Sequence, residues 1–493
     1  MIKYNAKDKK DITRYANGLV GLSFKQIIIN YNKAHQFSDS CDTNKKHKGQ
    51  LGHIVEKYYF EYNINSSPHP DFQEAKLELK TAGLIKDSKN ILNAKERLVI
   101  SMIPHDKPIA ADIENSELFE KLQAFLLVMY LYEGKNINKL DYKIKYVELV
   151  EMLSDEFKND YEIISEDYKQ IARMIINGNA HMLSEGLTRY LGACTKGQNK
   201  KSSLKPQYYN KKVPAQRRAF SLKKGYINYV IQKFIYGEEF VSKTYGKIVK
   251  NKNELLKNKL EDIVIERIKK YYGWNVNALC EKFNLINKDS KHINSQIIYR
   301  ILGIKSDMAE EFAKADIVVK TIRIGVRGNI RESMSFPTIN LCDLAVQDYR
   351  QSPFYYYLSE HKFLFIIFKE NEKGDYILSG AMFWNMPYND LEYIAKKEYE
   401  IYKEHIKSGV KFKLANGIVK NDLPKKKDTK IIHLRPHSSR SFYVIDGLEI
   451  GNGKLSDSDL LPDGNRMTKQ CFFLNNSYVK EQIKDILEEN IEE

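Results

Sequence analysis

Apolar positions recur at helical spacing near residues 22–34, 50–60, 163–177 and 224–236, and between these stretches lie short apolar runs at 76–82, 96–102, 123–132 and 143–150. Helical period alternating with compact β-type runs predicts a mixed α/β domain over the first half of the chain. After Phe234 the pattern lapses through YGEEFVSKTYGKIVKNKNELLKNK, a polar, lysine-rich stretch, and helical spacing resumes near Leu260. The expected division is therefore a first domain over 1–236, a linker over 237–258 and a second domain over 259–493.

The second half repeats the first weakly but in the same order. AKLELKTAGL, with Lys80, aligns with ADIVVKTIRI, with Lys320; INGN, with Gly178, aligns with KSGV, with Gly409; AFSLKKGYI, with Tyr226, aligns with CFFLNNSYV, with Tyr478. The offsets, 320−80=240, 409−178=231 and 478−226=252, differ only by what loop insertions supply. An ordered set of anchors predicts a duplicated domain, and 493 residues exceed what one hydrophobic core normally holds.

Charge sharpens this picture. Lys and Arg outnumber Asp and Glu by 79 to 64, leaving +15, a balance that attracts polyanions and makes nucleic acid the leading partner class. The basic side chains cluster: Lys196 to Lys224, KGQNKKSSLKPQYYNKKVPAQRRAFSLKK, holds ten and no acidic residue, with Tyr208 and Tyr209 interleaved. That reads as a DNA-contacting loop leading into a helix. The five cysteines, Cys41, Cys194, Cys280, Cys342 and Cys471, are far apart and never spaced as C-x-x-C, so neither a zinc site nor a disulfide framework is expected. The opening MIKYNAKDKKDITRY has no apolar signal core, and the longest apolar run, Leu122 to Tyr132, is broken by Gln123. A cytoplasmic protein without a membrane segment is expected.

The candidate chemistry lies in HPDFQEAKLELKT. Asp71 follows Pro70 in a turn-like segment, while Glu78 and Lys80, two apart on a strand, point to one face. Two carboxylates and a phosphate can hold Mg2+, which stabilises charge building up on phosphorus, and a lysine can orient the attacking water. Upstream, KGQLGHIVEKYYF sets Gly49 and Gly52 at a helix start with Glu56 one turn on, placed to bring a third carboxylate to the same strand.

At PDFQEAKLELKT and KGQLGHIVEK, and again at AHMLSEGLTRYLGACTKG and QRRAFSLKKGY, the chain resembles the MutH-type endonucleases, in particular their two-domain type II restriction-enzyme branch acting at GATC. The resemblance implies two tandem restriction-endonuclease-like domains, each a mixed central sheet flanked by helices. It implies Asp71, Glu78 and Lys80 as the catalytic set, with Asp71 and Glu78 holding magnesium, Glu56 as an accessory carboxylate and Lys121, in ELFEKL, as an accessory lysine. GATC reading falls around Thr195, Lys196 and Gly197, with Lys223, Lys224 and Tyr226 packing or contacting the backbone nearby. Where the family's single-domain member has Arg-Pro before the loop lysine, this chain has Cys194-Thr195.

In the second copy the positions aligned with Asp71, Glu78 and Lys80 are Glu311, Val318 and Lys320. Without the strand carboxylate, metal binding should fail there. HLRPHSSR nevertheless keeps Arg435-Pro436 beside Lys425, Lys426, Lys427 and Lys430, and the resemblance implies a non-cutting effector domain that binds a second GATC copy and loops the intervening DNA. The expected partners are double-stranded DNA, a DNA-induced second copy of the chain and, functionally, a cognate DNA methyltransferase. Two other classes compete: a methyltransferase, suggested by Asn385-Met386-Pro387-Tyr388 but lacking a Gly-rich cofactor loop, and a non-enzymatic DNA-binding protein.

Overall fold

A computed structural model describes residues 4–36, 50–62, 68–134, 136–196, 204–250, 259–286, 290, 292–306 and 308–489. Gly49, Gly197, Cys41 and most of the lysine-rich stretch at 251–258 lie outside the described residues. The chain is α/β throughout and forms two compact units, Met1–Tyr245 with Glu311–Asp316, and Gly246–Glu310 with Ile317–Glu493.

In the first unit the strands are β1 (Glu78–Lys86), β2 (Leu92–Ala94), β3 (Leu98–Met102), β4 (Ala124–Leu131), β5 (Ile144–Glu151), β6 (Leu191–Thr195), β7 (Leu204–Lys205), β8 (Ala215–Gln216) and β9 (Arg218–Leu222). The main sheet runs β2-β1-β4-β5, with β1 and β4 parallel and the outer pairs antiparallel. The sequence AFLLVMYL makes β4 the central strand: buried over nearly its whole length, it shows the continuous apolar run of a strand covered on both faces. A second, antiparallel sheet runs β3-β9-β6. The helix after β5 spans Lys158–Ile176, starting earlier than the apolar period indicates because its first turn, KNDYE, is polar. The helix after β9 spans Lys224–Tyr236. The first stretch placed in the linker folds further: Glu238–Thr244 is a helix whose Val241, with Tyr245, packs on Tyr229.

The second unit has β10 (Ile317–Ile324), β11 (Ser335–Thr338), β12 (Lys362–Glu370), β13 (Tyr376–Trp384), β14 (Phe412–Ala415), β15 (Ile418–Asn421), β16 (Ile432–Pro436), β17 (Phe442–Ile445), β18 (Leu448–Gly451), β19 (Ser458–Leu460), β20 (Arg466–Thr468) and β21 (Gln470–Leu474). Its β10 is parallel to β12, β12 is antiparallel to β13, and a second sheet runs β11-β21-β16. The same order of parallel and antiparallel neighbours thus occurs in both units. The three sequence anchors fall at matching places: Lys80 and Lys320 on β1 and β10, Gly178 and Gly409 just after the helices Lys158–Ile176 and Lys396–Ser408, Tyr226 and Tyr478 on the helices after β9 and β21. Both glycines have positive φ, where a side chain would be strained. Glu311, aligned with Asp71, lies on the helix Glu310–Ala315 that precedes β10, and this segment groups with the first unit.

Candidate active site

Asp71 reaches β1 because the chain between Phe72 and Leu77 closes on itself. The backbones of Phe72 and Leu77 exchange two hydrogen bonds, and Lys76 takes a left-handed conformation to make the turn. Asp71 is folded back so that its Oδ2 accepts the Leu79 N–H at 2.8 Å. Two residues apart on β1, Glu78 and Lys80 share a face as the strand period requires, and Lys80 Nζ donates to Glu78 Oε1 at 2.6 Å.

Lys121 joins them from the helix Glu117–Leu122. Ser116 starts that helix by accepting the Phe119 N–H, and its last turn presents the Lys121 ammonium 3.4 Å from the same Glu78 Oε1. Glu78 is only 3% exposed, and its Oε2 is buried with no hydrogen-bond partner among the described residues. A buried carboxylate with one oxygen between two ammonium groups and the other unsatisfied is costly unless something occupies the free oxygen.

Glu56 arrives from the helical segment that precedes Asp71 in the chain. It sits where the helix Gln50–Ile54 runs into a π-type turn over Val55–Tyr59. At Gly52 an added Cβ would lie 3.6 Å from Thr81 Oγ1 and 3.7 Å from Glu56 Oε1, so this helix approaches β1 closely and carries Glu56 to it. Burial first, and then the charge of Asp71, push the Glu56 carboxyl up to about 7, partly offset by Lys80 and Lys121. Burial and the neighbouring Glu78 likewise raise Asp71 above the usual carboxylate range, against the Leu79 N–H and the two lysines. Crowded carboxylates with raised pKa values and an unsatisfied oxygen are the donor set a divalent cation relieves. The set is short for a caged ion: among the described residues no group of three or more acidic, His or Cys side chains is arranged as ligands.

The residues expected to meet DNA divide into two sets. Thr195 and Lys196 end β6 partly exposed, and the Lys196 N–H donates to the Arg217 carbonyl, which fixes the base of the loop. Lys211, Lys212, Arg217 and Lys224 are exposed, as are Tyr208 and Tyr209. Lys223 and Tyr226, in contrast, are core residues. Lys223 is 0% exposed and donates to the carbonyls of Thr188 and Ala315, while the Tyr226 ring stacks on Tyr190 at 5.0 Å. They hold the unit together from within, because β9 turns directly into the helix that begins at Lys224 and both side chains point inward.

Sequence reasoning missed Asp167. Its carboxylate, 1% exposed on the helix Lys158–Ile176, accepts the backbone N–H groups of Arg189, Tyr190 and Leu191 and so fixes the start of β6. An acidic residue in a helix gives no such signal; only the apolar positions around it, Ile164, Tyr168 and Ile171, mark its face as inward.

The sequence model of the family described as DNA mismatch repair enzyme MutH matches residues 60–167, which span Asp71, Glu78, Lys80 and Lys121. A type II restriction enzyme of Staphylococcus aureus, Sau3AI, is 35% identical over 470 residues, covering 90% of this chain and 94% of that protein. The chain belongs to the MutH-type endonucleases, in their type II restriction-enzyme branch. It is an enzyme, a site-specific deoxyribonuclease of that class. Methyl transfer loses its motif as well, because Asn385–Tyr388 merely joins β13 to the turn of helix at Asp390–Ala395 in the second unit. Among the described residues no helix is long and apolar enough to cross a membrane.

In the second unit Val318 faces Phe363 on the parallel neighbour, as Glu78 faces Phe125. Lys320 donates to the Ser335 carbonyl at 3.1 Å, and burial lowers its pKa. Arg435, exposed at the end of β16, lies over the Phe473 ring at 4.8 Å, with Lys425, Lys426, Lys427 and Lys430 also exposed.

Proposed function

We propose that the chain cuts double-stranded DNA at GATC with Mg2+ held by Asp71 and Glu78, within the cytoplasm, and that a cognate methyltransferase protects the host's own sites. The observation that carries this reading is the buried, unsatisfied Glu78 Oε2 beside Asp71. When bound, the cation supplies charge stabilisation to the phosphorane-like transition state. Lys80, oriented by Glu78, and Lys121 place two further positive charges where the phosphate is attacked. Glu56, titrating near neutral pH, holds or takes up a proton beside them. Lys196 and Thr195, at the end of β6, read base edges, while Lys211, Lys212 and Lys224 contact phosphates.

The second unit acts, on this reading, as an effector that binds another GATC copy without cutting it. Val318 in place of the strand carboxylate and the exposed basic group around Arg435 support it. Its DNA contact would come from Lys425 to Lys430 and Arg435, since the segment between β16 and β21 is folded into a sheet, β18-β17-β20-β19, rather than a basic loop. DNA bridging two sites would also bring two copies of the chain together.

Digestion of plasmids with and without adenine-methylated GATC sites tests the first part, because the fragment ends report site, cut position and methylation together. Cutting that ignores GATC, or a Lys80→Ala protein that cuts normally, would refute it. For the effector, a two-site plasmid should be cut faster than a one-site plasmid, with Arg435→Ala removing the difference. Equal wild-type rates on both, unaffected by added target duplex, leave the second unit without that role.

A further inference from the structure

Tyr62 lies in no sequence motif, yet its side chain borders the same cavity as Asp71. The helix and π-type turn that carry Glu56 end just before it, and the Tyr62 N–H donates to the Glu56 carbonyl at 3.3 Å. Its ring packs edge-on against Phe72, the residue after Asp71, with centroids 5.6 Å apart and planes at 75°, and Phe60, itself packed on Phe72, lies 6.5 Å from it. Tyr62 and Asp71 together line one cavity of about 380 Å³. The Tyr62 hydroxyl is buried and, among the described residues, has no hydrogen-bond partner. Burial first, and then the charges of Asp71, Glu56 and Glu78, hold the phenol far above its usual pKa, so it keeps its proton at any working pH.

A buried hydroxyl without a partner weakens folding, and phenylalanine would supply the same ring without that cost. The packing gives no reason for the oxygen. A proton donor held near the charges of Asp71, Glu56 and Glu78 does have one use there, which is to meet an oxygen that arrives with the ligand. We propose that Tyr62 is a further residue of the cutting centre, whose hydroxyl donates a hydrogen bond to an incoming oxygen, either water in the shell of the divalent cation or an oxygen of the scissile phosphate. This rests on Asp71 and Glu78 forming the cation site.

Tyr62→Phe tests it, compared with wild type and Lys80→Ala in thermal melting, calorimetric Mg2+ binding to the DNA-free protein, target-duplex binding in Ca2+ and single-turnover cutting in Mg2+. The expected result is a melting temperature at or above that of wild type, with cutting slowed about tenfold to a hundredfold, the range for one hydrogen bond to a charged partner. If the acceptor is the cation's water, Mg2+ affinity falls in parallel. If it is the phosphate, Mg2+ affinity is unchanged and the loss is in cutting rate or duplex affinity. Wild-type cutting together with wild-type Mg2+ affinity would overturn the proposal. So would a lowered melting temperature that accounts for the lost activity, because the hydroxyl would then serve only the fold. A Lys80→Ala protein that cuts at the wild-type rate would instead overturn the assignment of the centre, which keeps the two failures distinguishable.

Discussion

On β1 of the first unit Glu78 and Lys80 converge with Lys121, whereas on β10 of the second the carboxylate position is Val318 and Lys320 donates to the Ser335 carbonyl. The two strands sit in the same register against their parallel neighbours, Glu78 opposite Phe125 and Val318 opposite Phe363. Counting back four residues from each phenylalanine puts Ser359 where Lys121 stands. The carboxylate and one lysine are therefore replaced together, and the lysine that remains, Lys320, has turned to a backbone carbonyl. What the units keep is what folds them. Asp167 accepts three backbone N–H groups at the start of β6, and Glu398, on the helix Lys396–Ser408, does the same for Lys430, Ile431 and Ile432 at the start of β16. The segments joining β6 to β9 and β16 to β21 differ as sharply: residues 196–217 hold seven Lys or Arg and no acid, residues 437–469 four against five. A fold can thus be copied while its chemistry is erased position by position.

The largest effect expected from this contrast is at the aligned strand positions. Glu78→Ala should lower single-turnover cutting in Mg2+ by about a thousandfold or more, while Val318→Ala leaves it unchanged. Near-normal cutting by the Glu78 variant would break the asymmetry between the units. Conversely, Val318→Glu should not give the second unit a cutting centre, since Ser359 stands where Lys121 does and Lys320 is held by a backbone carbonyl; nicking by a Glu78→Ala, Val318→Glu double variant would refute that.

Next is the loop. Lys196→Ala should weaken cutting at the target by about tenfold to a hundredfold, a bidentate base contact's worth, while leaving random duplex nearly unaffected. Lys211→Ala should weaken binding to all sequences and reduce the salt slope by about one unit. Equal losses for Lys196→Ala on target and random duplex, in a gel-shift titration over salt, would place Lys196 on the backbone.

The shared carboxylates should behave alike. Asp167→Ala and Glu398→Ala each leave buried N–H groups unsatisfied and should destabilise their own unit by about 3 kcal/mol, measured as lowered urea midpoints. A loss in only one of them would show that the two clamps are not equivalent.

The smallest effect follows from the raised carboxyls. Glu56, near 7, and Asp71 bind protons more tightly folded than unfolded. Their stabilising contribution is present at low pH and is lost as pH rises, for Glu56 through about 7. Mg2+ should relieve this repulsion, so its effect on the melting temperature should be larger at pH 8 than at pH 6, about a few degrees, and absent in Glu78→Gln. An equal shift at both pH values would mean that the cation binds elsewhere.

Much of this was legible in the residues alone. The alternation of periods placed β1, β3, β4 and β5 to within a few residues, because a strand buried on both faces must be apolar along its length and AFLLVMYL has no other reading in that context. Spacing of two on a strand put Glu78 and Lys80 on one face, and the basic run marked its own loop. Burial is what sequence could not decide. Lys223 is as basic as Lys224, but one closes the core on two carbonyls and the other faces solvent, a difference set by where β9 ends and the helix starts. Asp167 and Tyr62 belong to no motif, and their roles exist only once the helix meets β6 and the π-type turn meets the Asp71 turn. The sequence by itself determined the periods, the duplication and the pair on β1, since these depend on neighbours along the chain. The tertiary structure alone decided which charges are buried and which oxygens, Glu78 Oε2 and the Tyr62 hydroxyl among them, are left without a partner among the described residues, since desolvation and hydrogen-bond satisfaction are set by groups that meet only when the chain is folded.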